Sequence, residues 1–218
     1  MKSKQKSISI LKRMKLSNES YLPIDSIVLE PLKAFAQTHD VPIIKDQGLR
    51  FLQQLILIKD AQSVLEIGTA IGYSALGMLA VKPELKIVTV ERDPNMQVLA
   101  RKNFESFGKK ASVQLICEDA LNYLPDPSQR FDMIFIDAAK AQSQRFFERF
   151  ERFLHPGGVI VVDNLDFHGL VGSKPSSKNV RRLVEKIEAF IEYVQKREAY
   201  DTVIYPIGDG MSVSIKKR

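Results

Sequence analysis

The sequence predicts a doubly wound α/β fold: a mostly parallel, seven-stranded sheet finished by an antiparallel hairpin. Three observations carry this expectation. Apolar, β-branched runs alternate with segments of helical period from residue 63 to residue 194, the pattern of strands joined by crossover helices. Ser63 to Ala80 reads as strand, glycine turn and helix, with Gly68 and Gly72 placed so that backbone can closely approach a ligand. The last two apolar runs flank Gly208-Asp-Gly210, a hairpin signal.

Composition sets the frame for these elements. Of 218 residues, 44% are hydrophobic and 27% charged, the balance of an ordinary soluble globule with enough chain to bury a core. No apolar run approaches the roughly 20 residues that span a bilayer. Ile8 to Leu11 is too short for a secretory leader, and the single cysteine, Cys117, excludes an internal disulfide. A cytoplasmic protein with no membrane partner is expected. The net charge of +6 is unevenly placed, because Lys2, Lys4, Lys6, Lys12, Arg13 and Lys15 stand in a segment without acids, and the remainder balances 26 basic against 26 acidic residues. Residues 1–20 are therefore read as a basic arm and residues 21–218 as the folded domain. Such an arm suits a polyanion, or serves as a solvated tail.

Taken in order, Val28, Leu29, Leu32, Phe35 and Ala36 recur at helical spacing, as do Phe51, Leu52, Leu55 and Ile56 within a second helix from Asp46 to Ile58. These two helices cap the sheet or form a homodimer interface. Between them Pro42 keeps Val41 to Lys45 extended, near the mouth of the glycine turn. Val64, Leu65 and Ile67 make the first strand, Lys86 to Glu91 the second and Val113 to Cys117 the third, with Cys117 expected as a core thiol. A helix from Asn95 to Phe107 ends at Gly108. Phe131 to Ile136 is the fourth strand, followed by a helix from about Gln142 to Phe153 that Pro156 and Gly157 end. Val159 to Val162, almost wholly β-branched, is a fifth strand buried on both faces. A helix from Asn179 to Val194 and strands Asp201–Tyr205 and Met211–Ile215 complete the chain.

Open α/β sheets bind ligands at the carboxyl ends of their strands. All five of these ends carry carboxylates: Glu66, Glu91, Asp119, Asp137 and Asp163. Glu66 is either a costly burial or a ligand contact. The turn has Ala70 where a dinucleotide fingerprint needs its middle glycine, which speaks against a nicotinamide cofactor. Glu91 is placed to accept both hydroxyls of a ribose. Asp119-Ala120 suits an adenine edge, or a helix cap. Asp137, Asp163 and Asn164 offer hard oxygen donors without thiolate or imidazole, so the expected ion is Mg²⁺ or a similar cation. Lys140, beside such an ion, could act as a base.

The Glu66 to Gly72 turn resembles motif I of class I S-adenosylmethionine (SAM) methyltransferases. Asp137-Ala-Ala-Lys140 with Val161-Val-Asp-Asn164 resembles the cation-dependent O-methyltransferases, the catechol and caffeoyl-CoA family, over about Tyr21 to Ile215. The resemblance implies that Ile43, Glu66, Gly68, Tyr73, Ser74, Glu91, Asp119, Ala120 and Asp137 contact SAM. It implies Mg²⁺, or Mn²⁺, on Asp137, Asp163 and Asn164, with Lys140 as catalytic base and Asp137 serving the reaction beside it. Phe135-Ile-Asp-Ala-Ala-Lys-Ala-Gln, Arg145-Phe-Phe-Glu and Pro206-Ile-Gly-Asp-Gly-Met are most similar to the bacterial branch that methylates 5-hydroxyuridine at the wobble position, implying the anticodon loop of tRNA as partner. Ala138-Ala139 lacks the bulky aromatic that the catechol enzyme has before its lysine, and the chain has no tryptophan. The loop Leu165 to Lys178, with Phe167 and His168, is where an acceptor base would be enclosed. Two other readings stand beside this one: an O-methyltransferase of small phenols, and a non-catalytic RNA-binding protein.

Overall fold

The computed structural model describes residues 26–166 and 177–218. The basic arm, and the segment with Phe167 and His168, lie outside them. Helices α1 (Ser26–Thr38) and α2 (Asp46–Lys59) precede β1 (Ser63–Ile67), α3 (Tyr73–Val81), β2 (Lys86–Glu91), α4 (Pro94–Ser106) and β3 (Val113–Cys117). Then follow β4 (Phe131–Ile136), α5 (Ser143–Phe150), β5 (Leu154–Val162), α6 (Lys178–Gln195), β6 (Tyr200–Tyr205) and β7 (Met211–Lys216). The seven strands form one sheet in the order β3-β2-β1-β4-β5-β7-β6. Its first five strands are parallel, and β7 runs antiparallel to both β5 and β6.

Alternation along the central strands feeds two cores. Val64, Met133, Phe135, Val159 and Val161 pack with α1 to α4 on one face. Leu65, Ile67, Ile134, Ile136, Ile160 and Val162 meet the phenylalanines of α5 and α6 on the other. The two N-terminal helices belong to the first core: a Cβ on Gly77 of α3 would stand 2.7 Å from Leu49 of α2, and the buried Gln53 amide donates to the Gly77 carbonyl at 2.9 Å. They cap the sheet, one of the two roles expected of them.

Three local expectations are corrected. Cys117 is exposed, not a core thiol, because β3 is an edge strand with half-covered residues. The helix expected over 142–153 is split: a 3₁₀ turn at Lys140–Gln142, then α5, then a second 3₁₀ turn at Glu151–Phe153. Pro156 and Gly157 do not end that helix but lie inside β5, which starts at Leu154. The register with β4 jumps from Phe131↔Leu154 to Met133↔Val159, so Pro-Gly-Gly is accommodated as a bulge.

Candidate active site

The glycine turn sets the geometry at the head of the sheet. Gly68 has φ +100°, and a Cβ there would lie 2.3 Å from the Asp137 carbonyl oxygen, so the missing side chain lets the end of β4 close against the turn. Ala70, at the position of the missing glycine, also has positive φ, 46°. Its backbone N–H donates to Glu91 Oε2 at 2.8 Å, and Glu91 Oε1 accepts from the Asp93 N–H at 2.9 Å. That carboxylate is tied to the turn and keeps acceptor capacity on the cleft side.

The cleft encloses about 560 Å³, within the range of small-ligand sites. Ile43, Gly68, Tyr73, Ser74, Glu91, Asp119 and Ala120 line one part; Asp137, Lys140, Asp163 and Asn164 line the other. Glu66, expected at the cofactor, stands apart from these. It is fully buried beneath the turn and does not border the cleft. Its oxygens accept from Ser74 Oγ at 2.6 Å and Thr89 Oγ1 at 2.5 Å, and burial pushes its pKa up to about 7. Ser74 borders the cleft, and Thr89 is bonded in turn to Thr69, which also borders it, at 2.6 Å. Asp119 closes a turn on the Leu121 N–H at 2.8 Å, so its side chain does cap work at the cleft edge.

At the ends of β4 and β5, Asn164 adopts φ +71°. Its Nδ2 donates to Asp137 Oδ1 at 2.6 Å, and its backbone N–H to Asp163 Oδ1 at 2.6 Å. Burial raises the pKa of both aspartates. Asp137 raises Asp163 further, while Asn164 and Lys140 pull Asp137 back down. Neither carboxylate forms an ion pair among the described residues. Two desolvated acids so close together want a cation or a proton. Among the described residues no three His, Cys, Asp or Glu side chains gather as a metal set; the Asn164 amide oxygen is the neutral donor that stands beside the two carboxylates. Two carboxylates and an amide fit a hard divalent cation that keeps open positions. Lys140 opens the 3₁₀ turn after β4 and faces this end of the cleft.

Asp209 is one of the cleft residues not singled out from the sequence. At the tip of the β6–β7 hairpin, it borders the cleft and is held by Lys45 Nζ at 2.5 Å. The tip also accepts the Asp166 N–H at 2.7 Å and the Leu165 N–H at 2.9 Å, clasping the chain as it leaves Asn164. Only the glycines flanking Asp209 signal this, and they announce a turn rather than its destination. Of the other titratable groups, His39 stacks on Phe35, and its Nδ1 donates to the Phe35 carbonyl at 2.9 Å.

A family model described as O-methyltransferase matches residues 17–217. A catechol O-methyltransferase from Niastella koreensis is 31% identical over 186 residues, covering 81% of this chain and 83% of that protein. A candidate caffeoyl-CoA O-methyltransferase structure from Staphylococcus aureus superimposes with a TM-score of 0.81 at 33% identity, covering 99% of this chain and 100% of that one. An O-methyltransferase from Bacillus cereus, solved in complex with SAH, shares the fold with a TM-score of 0.74 at 24% identity, over 91% and 99% of the two chains.

Proposed function

The chain belongs to this O-methyltransferase family, and from that premise we propose that it transfers the methyl group of SAM to the 5-hydroxyl of 5-hydroxyuridine at the tRNA wobble position, assisted by Mg²⁺ or Mn²⁺. The observation that carries the reaction class is the pair of half-buried Asp137 and buried Asp163, bridged by Asn164 and sharing with Lys140 a cleft that the glycine turn also borders. SAM suits the other half of the cleft. The Gly68 to Gly72 turn and Ser74 receive its amino-acid part, Glu91 accepts from its ribose hydroxyls, and Asp119-Ala120 meets its adenine.

When bound, the cation would supply positive charge that acidifies the acceptor hydroxyl, and SAM would supply the electrophilic methyl carbon. The chain does the rest. Asp137, Asp163 and Asn164 would hold the cation, and the Asp137 backbone lies close against Gly68 of the cofactor turn. Lys140 accepts the hydroxyl proton. The walls orient acceptor and donor for in-line displacement, which replaces the entropy cost of a bimolecular encounter.

5-Hydroxyuridine presents the required O–C–C–O unit through its O4 and O5. The six unopposed charges of the arm favour a polyanionic carrier, and the absence of any tryptophan disfavours a walled catechol slot. A second reading, methylation of a catechol, is favoured by the Niastella relative. The experiment offers labelled SAM with tRNA containing 5-hydroxyuridine or with a catechol, each with and without chelator. Transfer to tRNA, lost on chelation, is expected. Transfer to catechol alone would move the protein to the second reading, and transfer to neither would leave a binding module.

A further inference from the structure

Beside the cleft lies a second depression of about 370 Å³, lined by Leu121, Leu124, Arg145, Glu148, Arg149 and Arg152. The three arginines stand at i, i+4 and i+7 of the helical run formed by α5 and its following 3₁₀ turn, and so share one face. Helix rise spreads them over about 10 Å. Arg145 and Arg152 are exposed. Arg149 is half-buried and its Nε donates to the Tyr123 carbonyl at 3.1 Å, while Arg152 lies over the Phe153 ring at 4.8 Å. Among the described residues none of the three is ion-paired. The one acid of the groove, Glu148, accepts the Gln144 amide at 2.9 Å. The groove therefore carries net positive charge. Its opposite wall is apolar, with Leu124 42% exposed.

The neighbouring cleft has the opposite sign, since Asp40, Glu91, Asp93, Glu118, Asp119 and Asp209, with Asp137 and Asp163, outnumber Arg92 and Lys140 around it. A polyanion that must bring one base to Asp137 and Asp163 is repelled there, and needs cations at the rim to approach. The arginine groove meets that rim twice. Leu121 follows Ala120, which lines the cleft, and Arg145 Nη1 donates at 3.3 Å to Oε1 of Gln142, which also lines it. A small phenol would gain nothing from such a neighbour.

We propose that this groove holds the phosphate backbone of the RNA strand whose base enters the cleft, an inference that rests on the tRNA reading above. Guanidinium forks match phosphate oxygens in pairs, and Leu121 and Leu124 offer a dry wall for an adjoining base or ribose. The test uses the full chain and an anticodon stem-loop RNA, with binding measured over a series of salt concentrations. Wild type is compared with the double variant Arg145→Glu, Arg152→Glu and with Arg145→Lys, Arg152→Lys. Affinity for SAM on each chain checks the fold. Charge reversal is expected to weaken RNA binding roughly ten-fold or more, and to flatten the slope of log K against log salt by about 1 per arginine. The lysine pair is expected to keep most of that slope. If charge reversal costs the fold, Arg145→Gln and Arg152→Gln singly decide the matter by the same slope. An unchanged affinity and slope in the variants, with wild type binding RNA, would overturn the groove alone. A wild-type chain that binds no RNA would overturn the groove together with the tRNA reading.

Discussion

Glu66 and Asp163 are buried and Asp137 is half-buried, and burial is the largest cause of the raised pKa of each. The folded chain thus binds these protons more tightly than the unfolded chain does. Unfolding releases them, so stability contributed by protonation is present below the ordinary carboxylate range and is lost as pH rises. For Glu66 that loss spans its ordinary value to about 7, on the order of 3 kcal/mol. The metal-free protein is expected to melt at a lower temperature near pH ~8 than near pH ~5, and a divalent cation to restore more at the higher pH, where the aspartates are free to ligate. A melting temperature indifferent to both variables would contradict this. Lys140→Ala is expected to slow methyl transfer by roughly 10²–10⁴ in kcat while keeping SAM affinity, as removal of a general base does. Single-turnover kinetics separate the two effects. Asp137 and Asp163, the carboxylates proposed to hold a cation, stood out because an acid that closes an apolar strand has to be met by a ligand, a cation or a buried donor. Glu66 was not resolved, since a carboxylate inside an apolar run looks alike whether it meets a ligand or, as here, two buried hydroxyls.

The glycine turn is the element on which both halves of the cleft depend. Gly68→Ala would set a methyl group 2.3 Å from backbone that cannot swing aside, at φ +100°. A loss of roughly 1–3 kcal/mol from the strained φ alone is expected, with more from the displacement of Asp137, and SAM binding should fall with it. Gly108→Ala is the control: φ is +64° but its Cβ would meet nothing within 4 Å, so only about 1–2 kcal/mol is at stake. Denaturant unfolding of the two variants, with comparable losses, would refute the steric role of Gly68. Element boundaries were mostly readable from periodicity and caps. β5 was not, because Pro156-Gly157-Gly158 reads locally as a stop, whereas the register jump against β4 takes up the extra residues as a bulge. That compensation lives in the partner strand, beyond any local signal.

At the scale of the molecule, alternation of strand and helix was enough to predict a doubly wound sheet, but it does not rank the strands from centre to edge. Cys117 was misplaced for that reason: β3 closes one side of the sheet. Asp209 reaches the cleft from the far end of the sequence, by way of a hairpin whose turn residues say nothing of where it folds. Among the described residues no helix is long and apolar enough to cross a membrane. Charge is divided at this scale too, with an acidic cleft flanked by an arginine groove and six cations in the arm. Removing residues 1–16 is expected to flatten the salt dependence of tRNA binding by up to about 4, at roughly 0.7 per lost phosphate contact. An unaltered slope would reduce the arm to a solvated tail. Everything proposed for the cleft turns on a cation held by Asp137, Asp163 and Asn164, and Mn²⁺ titration followed by electron paramagnetic resonance tests that most directly. One tightly bound ion per wild-type chain, lost in Asp163→Ala, is expected; equal binding by both chains, or none by either, would contradict it.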